Sequence, residues 1–408
     1  MTYGVFRAKG GDCMKALVIG GGIGGLTTAL SLEQKGIHTE LYEAAPELRA
    51  AGAGIWMSPN SILALERLGL AEKFLKIGVE MKEAVVEDGS GRVISRAPMD
   101  PIKKKLGYAI RSVRRSSLHE ILAGALSPGV VRVNKRLVEA GQDAPGGGNK
   151  GEDGNKEGEK NTVYARFADG ETVRGDLLVG ADGIRSTVRE AVAPGVPLRY
   201  SGQTCWYGLS RTVLPDNRRN RTTEIWMGKT RFGFTEVDGG LTYFFAVEKS
   251  PAGLDSPSDP LARLHELYGD APEIVRDILA GTRNEDLHRG DLSDIKPFLP
   301  LAYGRIGLIG DAGHATTPNL GQGAAQAMED AVALGELCAR FEPAEALRKL
   351  ERLRKKRIAF IVNTSRRMGR IAHAEGFLGE RLIPALMRRT PEALGAKMML
   401  RILTPVFS

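Results

Sequence analysis

Apolar runs and glycine-punctuated polar stretches alternate along the chain in a way that sorts it into elements before any chemistry is considered. Ala16-Leu17-Val18-Ile19 is apolar at every position and ends in glycines, the mark of a parallel strand buried on both faces. From Gly24 to Lys35 the apolar residues, Leu26 and Leu30 among them, recur at helical spacing, and Gly36 supplies a stop. His38–Glu43 reads as a second strand. Ser61–Leu68 reads as a second helix, entered through Pro59-Asn60 and closed by Gly69. This strand-helix-strand opening predicts a doubly wound, mostly parallel sheet.

Further along, Val130–Val138 and Thr162–Phe167 read as strands. They flank 141–161, which has no apolar periodicity and is rich in Gly, Lys, Glu and Asn; it is expected to be a disordered, overgrown hairpin loop. Between Tyr200 and Val247, aromatic and β-branched residues recur between Gly and Asp-Gly turns, an antiparallel signature that includes Trp206, Tyr207, Trp226 and Phe234. From Leu261 the pattern turns helical, and Ile306–Ile309 is another buried strand. Everything after Ala324 reads as helix, with the basic run Arg352, Arg354, Lys355, Lys356 and Arg357 expected to face solvent.

Composition removes several classes of function. With 408 residues, 42% of them hydrophobic, the chain can bury a large core. No apolar run reaches the roughly 18 residues of a bilayer span, so no integral membrane segment is expected. Cys13, Cys205 and Cys338 are far apart, which supports neither a disulfide framework nor a metal site and fits the cytoplasm. The net charge of +8 lacks the interleaved aromatics of a nucleic-acid surface, and its functional variant is attraction of anionic nucleotides or substrates. Residues 1–13 add nothing to the first strand, and Met14 stands as an alternative native start.

The chemistry lies in three separated motifs. Gly20, Gly22 and Gly25 fit G-x-G-x-x-G: a tight turn, a close approach of backbone to pyrophosphate, and close helix–strand packing. The helix that follows offers unpaired N–H groups to phosphates. Glu43, next to Ala44, ends the second strand where an acid accepts hydrogen bonds from a ribose, which favours FAD or NAD over NADP. Asp182-Gly183 follows the strand-like Leu177–Val179. Asp311 follows Ile306–Ile309 and precedes Pro318 and Gly321-Gln322-Gly323, which opens a helix with a second set of free amides. Asp311 can accept a hydrogen bond from a polyol chain. Arg231 and Tyr243 are candidates for recognising an anionic or phenolic substrate, and His314 is a further catalytic candidate whose alternative role is to brace its loop. No metal ligand set is seen.

With these motifs in this order, the chain resembles the class A flavoprotein monooxygenases, with the para-hydroxybenzoate hydroxylase fold, from Met14 to about Arg370. The resemblance implies an α/β architecture: a Rossmann-like, doubly wound FAD-binding sheet interleaved with an antiparallel substrate sheet, and C-terminal helices. The expected divisions are 14–199 and 297–372 for the FAD domain, 200–296 for the substrate domain and 373–408 for the helical end. It further implies that Gly22, Gly24 and Gly25 contact the pyrophosphate of FAD, Glu43 its ribose and Asp311 the ribityl chain. Arg115, in Arg115-Ser116-Ser117-Leu118, is an FAD-facing arginine by the same likeness, and Leu137 meets adenine through its backbone. Asp182 is linked to FAD and NAD(P)H, and Pro318 and Gly321–Ala324, Gly323 included, lie against the isoalloxazine ring. The implied reaction uses NAD(P)H and O2 to hydroxylate or epoxidise a small substrate, expected to be aromatic, through a C4a-hydroperoxyflavin, in a monomer or homodimer. The purine-hydroxylating branch favours an acid where this chain has Asn319, which argues against urate. A reductase of polyprenyl substrates and a non-catalytic flavin redox sensor are the alternatives.

Overall fold

The computed structural model describes residues 14–48, 53–143, 162–297 and 300–407. Its first sheet has six strands in the order Ala302–Tyr303, Ile306–Leu308, Leu177–Gly180, Lys15–Ile19, His38–Tyr42 and Val131–Arg132. Only the Ala302–Tyr303 edge runs antiparallel to its neighbour. The first strand is central, pairing Ala16 with Leu177 on one side and with Thr39 on the other. Side chains alternate across a strand, and here both faces are covered. Ala16 and Val18 pack with Leu26 and Leu30 of helix Ile23–Glu33 and with Met328 and Val332 of helix Gly323–Cys338. Leu17 and Ile19 pack with Leu137, Val163, Ala165 and Phe167, from a three-stranded antiparallel sheet (Leu137–Gln142, Val163–Phe167, Thr172–Gly175). Both faces being apolar is why the sequence shows an unbroken hydrophobic run there.

The second large sheet has seven strands in the order Thr282–Ile295, Leu198–Ser210, Leu241–Lys249, Thr230–Val237, Arg221–Met227, Glu83–Asp88 and Val93–Pro98. One face carries Trp206, Phe232, Phe234 and Phe244, packed on Leu264, Val275 and Ile278 of helices Pro260–Leu267 and Glu273–Ala280. Phe232 and Phe244 stack with centroids 5.2 Å apart. The alternate residues, Cys205, Tyr207, Arg231, Tyr243 and Phe245, face the other way, toward the first sheet, and line a cavity.

Several expectations are corrected. Val130–Val138 is not one strand: Val131–Arg132 joins the parallel sheet and Leu137–Gln142 the three-stranded one, with the chain turning at Asn134, whose φ is 58°. Gln142 pairs with Val163, so a hairpin does join these strands; residues 144–161 of the expected loop lie outside the described residues. Glu83–Asp88 and Val93–Pro98 extend the seven-stranded sheet, although they sit inside the stretch assigned to the FAD domain. Arg218 and Arg221 both bond Glu87 and tie that extension down. Thr282–Ile295 was not foreseen as a strand. It is a polar edge strand, and only Thr282 and its last few residues carry the buried alternation of a core strand. No helix among the described residues is long and apolar enough to cross a membrane.

The basic run on helix Pro343–Ala372 is only partly solvated. Arg352, Lys355 and Lys356 are exposed, but Arg354 is fully buried and Arg357 nearly so. Positions 354 and 357 lie one turn apart on the face that meets helix Gly323–Cys338. Arg354 Nε donates to Asp330 Oδ1 at 2.7 Å, Nη2 donates to Gln326 Oε1 at 2.7 Å, and Nη1 donates to Glu329. Burial alone would raise the Asp330 carboxyl, but His314 and Arg354 overcome it and hold it at about 2. Arg354→Met is expected to leave two buried carboxylates without their cation and to destabilise the protein by about 3–5 kcal/mol, read from denaturant unfolding. In the parent, the stability supplied by ionised Asp330 is present above its ordinary value and lost as pH falls toward about 2. The variant should therefore show a shallower loss of stability with acid.

Candidate active site

The glycine-rich turn is shaped by its neighbours. Gly20 has φ +106°, and a Cβ there would sit 2.5 Å from the Ala181 carbonyl oxygen. A Cβ on Gly25 would overlap the Gly20 carbonyl oxygen. Gly22 differs: a Cβ on it would meet no protein atom, only the cavity. Gly22 precedes helix Ile23–Glu33 and offers no side-chain cap, so the first-turn amides open onto the cavity beside Ile23 and Gly24. Glu43 braces the turn, Oε2 accepting from Gly21 N at 2.6 Å and Oε1 from Ala45 N at 2.8 Å. Each oxygen keeps a lone pair for a further donor. Buried His119, which the sequence reading missed, bonds the Gly21 carbonyl through Nε2 at 2.8 Å. It lies four residues after Arg115 on helix Arg115–Ala123, and that i,i+4 spacing was the signal available for it.

A second helix start converges on the same space. Gly310, Asp311, Pro318, Gly321, Gly323 and Ala324 all line the cavity, and helix Gly323–Cys338 begins there without a side-chain cap. The Asp311 side chain is exposed to the lumen of the cavity and accepts no hydrogen bond among the described residues. Burial raises its pKa above the usual carboxylate range, against the pull of His314 and Arg115. Arg115 also lines the cavity and has no ion-pair partner among the described residues.

The cavity, about 420 Å³, is walled on the substrate-sheet side by Trp56, Tyr207, Arg231, Tyr243, Phe245 and Val247. Arg231 and Tyr243 are buried there, not solvent-facing. Arg231 Nη1 donates to Glu224 Oε1 at 3.0 Å, Nη2 donates to Asn319 Oδ1, and the guanidinium lies 5.8 Å over the Phe245 ring. Asn319 in turn donates to Thr317 Oγ1 and the Ser365 carbonyl, both at 3.0 Å. Two buried donors of this wall, Arg231 Nε and Trp56 Nε1, have no hydrogen-bond partner among the described residues. Burial drives the Tyr207 and Tyr243 phenols well above their ordinary pKa and pushes the Cys205 thiol up to about 12, so all three stay neutral.

Other expected residues sit elsewhere. His314 does not line the cavity; it is buried with Nε2 2.5 Å from Asp330 Oδ2, and Asp330 also accepts from Gly310 N at 3.1 Å. It braces the turn. Asp182 accepts from Thr187 N, Val188 N and Ser186, at the start of helix Thr187–Val192, while its neighbours Ala181 and Gly183 line the cavity. Leu137 packs in the core behind the first sheet, three residues after Asn134, whose N–H bonds the Ala45 carbonyl. Ala44 lies on the turn that Glu43 bridges and does not line the cavity. Of the aromatic residues in the antiparallel signature, Trp206 and Phe234 are core and Tyr207 is cavity wall. Trp226 donates to Glu224 at 2.8 Å.

Two uncapped helix starts, an open Gly22 and an unpaired carboxylate at Asp311 suit a ligand with both phosphates and a polyol. Residues 13–361 match the family described as FAD binding domain. The chain belongs to this family. It is 34% identical over 367 residues to aurachin C monooxygenase/isomerase of Stigmatella aurantiaca, covering 89% of this chain and 90% of that one. It is 32% identical to 2-heptyl-3-hydroxy-4(1H)-quinolone synthase of Pseudomonas aeruginosa, covering 96% and 98%. The crystal structure of Klebsiella pneumoniae HpxO complexed with FAD and uric acid superposes with a TM-score of 0.85 at 30% identity, covering 96% and 97%. The protein is an FAD-dependent monooxygenase with the fold of the flavoprotein hydroxylases; the reductase and sensor readings are not favoured.

Because only the cavity lies beside the Gly22 Cα, Gly22→Val is expected to fold like the parent and to purify without FAD. Retention of stoichiometric FAD, read from the visible spectrum, would show that the pyrophosphate lies elsewhere.

Proposed function

We propose that this enzyme takes its electrons from NAD(P)H and hydroxylates an electron-rich, nitrogen-containing aromatic ring held against Arg231. The observation that carries the reading is that guanidinium: buried on a largely aromatic wall, with Nε unpartnered among the described residues. Uric acid, held by the HpxO structure, and the 4(1H)-quinolone named for the Pseudomonas relative both present a ring carbonyl conjugated with a ring nitrogen, an acceptor suited to such a donor. Asn319, a neutral residue bonded to Arg231, stands where the purine-hydroxylating branch favours an acid. That weighs toward a quinolone-like ring and against urate.

FAD, when bound, supplies the redox chemistry and the activation of O2. The amides at Gly22–Gly24 would hold its pyrophosphate, Glu43 its ribose, Asp311 its ribityl hydroxyls, and the helix start at Gly323–Ala324 the edge of its ring. Arg231 orients the substrate through its carbonyl. The neutral phenols of Tyr207 and Tyr243 can donate to the oxygen substituent of the ring without exchanging charge with it. Trp56, Phe245 and Val247 fill the remaining wall with apolar surface and keep water from the reacting centre.

Asp311→Ala removes an acceptor and leaves a ligand hydroxyl unpaired, costing about 1–3 kcal/mol, or roughly five- to 150-fold in FAD affinity. Asp311→Asn keeps an amide oxygen and should lose less. Parental FAD affinity and turnover in both variants would reduce Asp311 to a turn residue. For the reaction, NADH and NADPH oxidation should be stimulated by 4-hydroxyquinoline more than by urate. With labelled O2, one labelled oxygen atom should enter the product. Unlabelled product from a productive substrate would exclude the reading.

A further inference from the structure

The described residues have nine large, exposed hydrophobic side chains, and five of them, Phe377, Leu382, Leu386, Leu394 and Met398, fall close together near the C-terminus. On helix Glu392–Leu403 the inward side is satisfied: Ile402 and Leu403 are buried with Ile102 and Ile361, and Met399 packs against them. Leu394 and Met398 are four residues apart, so they share one face, and they are 59% and 44% exposed. The chain covers only one side of this helix, and the side carrying Leu394 and Met398 is left to solvent. The preceding helix, Ile383–Arg389, repeats the pattern, with Pro384 buried and Leu386 58% exposed.

From 381 to 407 the sequence carries five basic residues and one acid, Glu392. Every described charged side chain from 381 to 407 is basic, namely Arg381, Arg388, Arg389, Lys397 and Arg401, all exposed. None of the five has an ion-pair partner among the described residues. Helix Ile383–Arg389 rests on the edge strand Val93–Pro98, and beside it opens a cavity of about 270 Å³ lined by Ile94, Trp226, Met227, Ile371, Ala372 and Pro384.

We propose that helices Ile383–Arg389 and Glu392–Leu403 form a docking surface for an anionic lipid bilayer, lying in the plane of its interface. Exposed leucine and methionine interleaved with unpaired arginine and lysine is the composition that partitions into an anionic headgroup region. A second copy of the chain fits poorly. A two-fold contact sets the same patch against itself, bringing cations against cations with no described acid on the patch to pair them. A bilayer offers hydrocarbon and counter-charge together. The proposal does not rest on the ring class above.

The test is sedimentation of the full-length, FAD-loaded protein with phosphatidylcholine vesicles, with and without phosphatidylglycerol. Binding is expected to the anionic vesicles only, and to be released by high salt. Arg388→Gln with Arg389→Gln should weaken it at least tenfold, each surface cation contributing about fivefold. Leu394→Glu with Met398→Glu should abolish it. Unchanged FAD content and melting temperature would show that both variants are folded. No binding by the parent, equal binding to neutral and anionic vesicles, or binding unaltered in both variants would overturn the proposal. So would a concentration-dependent dimer that the Leu394→Glu, Met398→Glu protein loses, since the surface would then belong to a second copy.

Discussion

The desolvated cluster of Arg354, Glu329 and Asp330 is the interaction on which the flavin half of the molecule depends. It joins four parts of the chain that are distant in sequence. Asp330 takes the Gly310 amide and the His314 ring, and so sets the turn that aims Asp311 into the cavity. Arg354 spans from helix Pro343–Ala372 to the helix that begins at the cavity. Glu329 also accepts from Asn60 and from the Val406 amide, while Arg357 donates to the Arg401 and Ile402 carbonyls. Two carboxylates and two guanidiniums balance, which is what makes burial tolerable. Apolar residues of equal volume could pack as well, but they would leave the Gly310 N–H unpaired and the turn without a direction.

The second constraint is the two-residue period of the seven-stranded sheet. One set of alternate positions builds a stacked aromatic core with the helices beneath it, which makes the sheet stiff. The other set is thereby held at fixed spacing and becomes the wall of the site. Arg231 lies directly across from Trp226 on the neighbouring strand, and Glu224, two residues back on that strand, bonds both. A side chain as long as arginine has many rotamers to lose on ordering. Here its backbone is fixed by the sheet, and its head by Glu224, Asn319 and the Phe245 ring.

How much of this could be read from the sequence follows from where each interaction is made. The turn glycines and the Asp311 loop were legible because their constraints are local, acting within a few residues of a strand end. Asp182 was legible as a motif, but not the bonds its carboxylate makes to the amides of the next helix, which depend on how the turn after it closes. Arg354 could not be recognised: a basic run on a helix looks solvated until the partner helix and its two acids are placed beside it. Thr282–Ile295 was hidden for a different reason. An edge strand needs hydrogen bonds from one neighbour more than it needs apolar side chains, so its polar sequence carries little alternation. The substrate wall was half legible: the aromatic and β-branched pattern announced a sheet, but a period of two does not say which face is core and which is cavity.

The electrostatics of the cavity follow from the same geometry. Its tyrosines and its cysteine are held neutral by burial, and His373, near Arg231, is pushed down to about 4 by burial and by that cation. Guanidiniums keep their charge where other side chains surrender theirs. The charged groups lining the lumen are Arg115 on the cofactor side, Arg231 paired with Glu224 on the ring side, Asp311 between the helix starts, and Asp291. On the proposed reading, the free Nε donor of Arg231 favours a ring whose carbonyl carries partial negative charge, which is also a ring open to attack by an electrophilic oxygen. Binding selectivity and reactivity then have one physical origin: the wall that recognises the acceptor also selects for the electron density the reaction consumes.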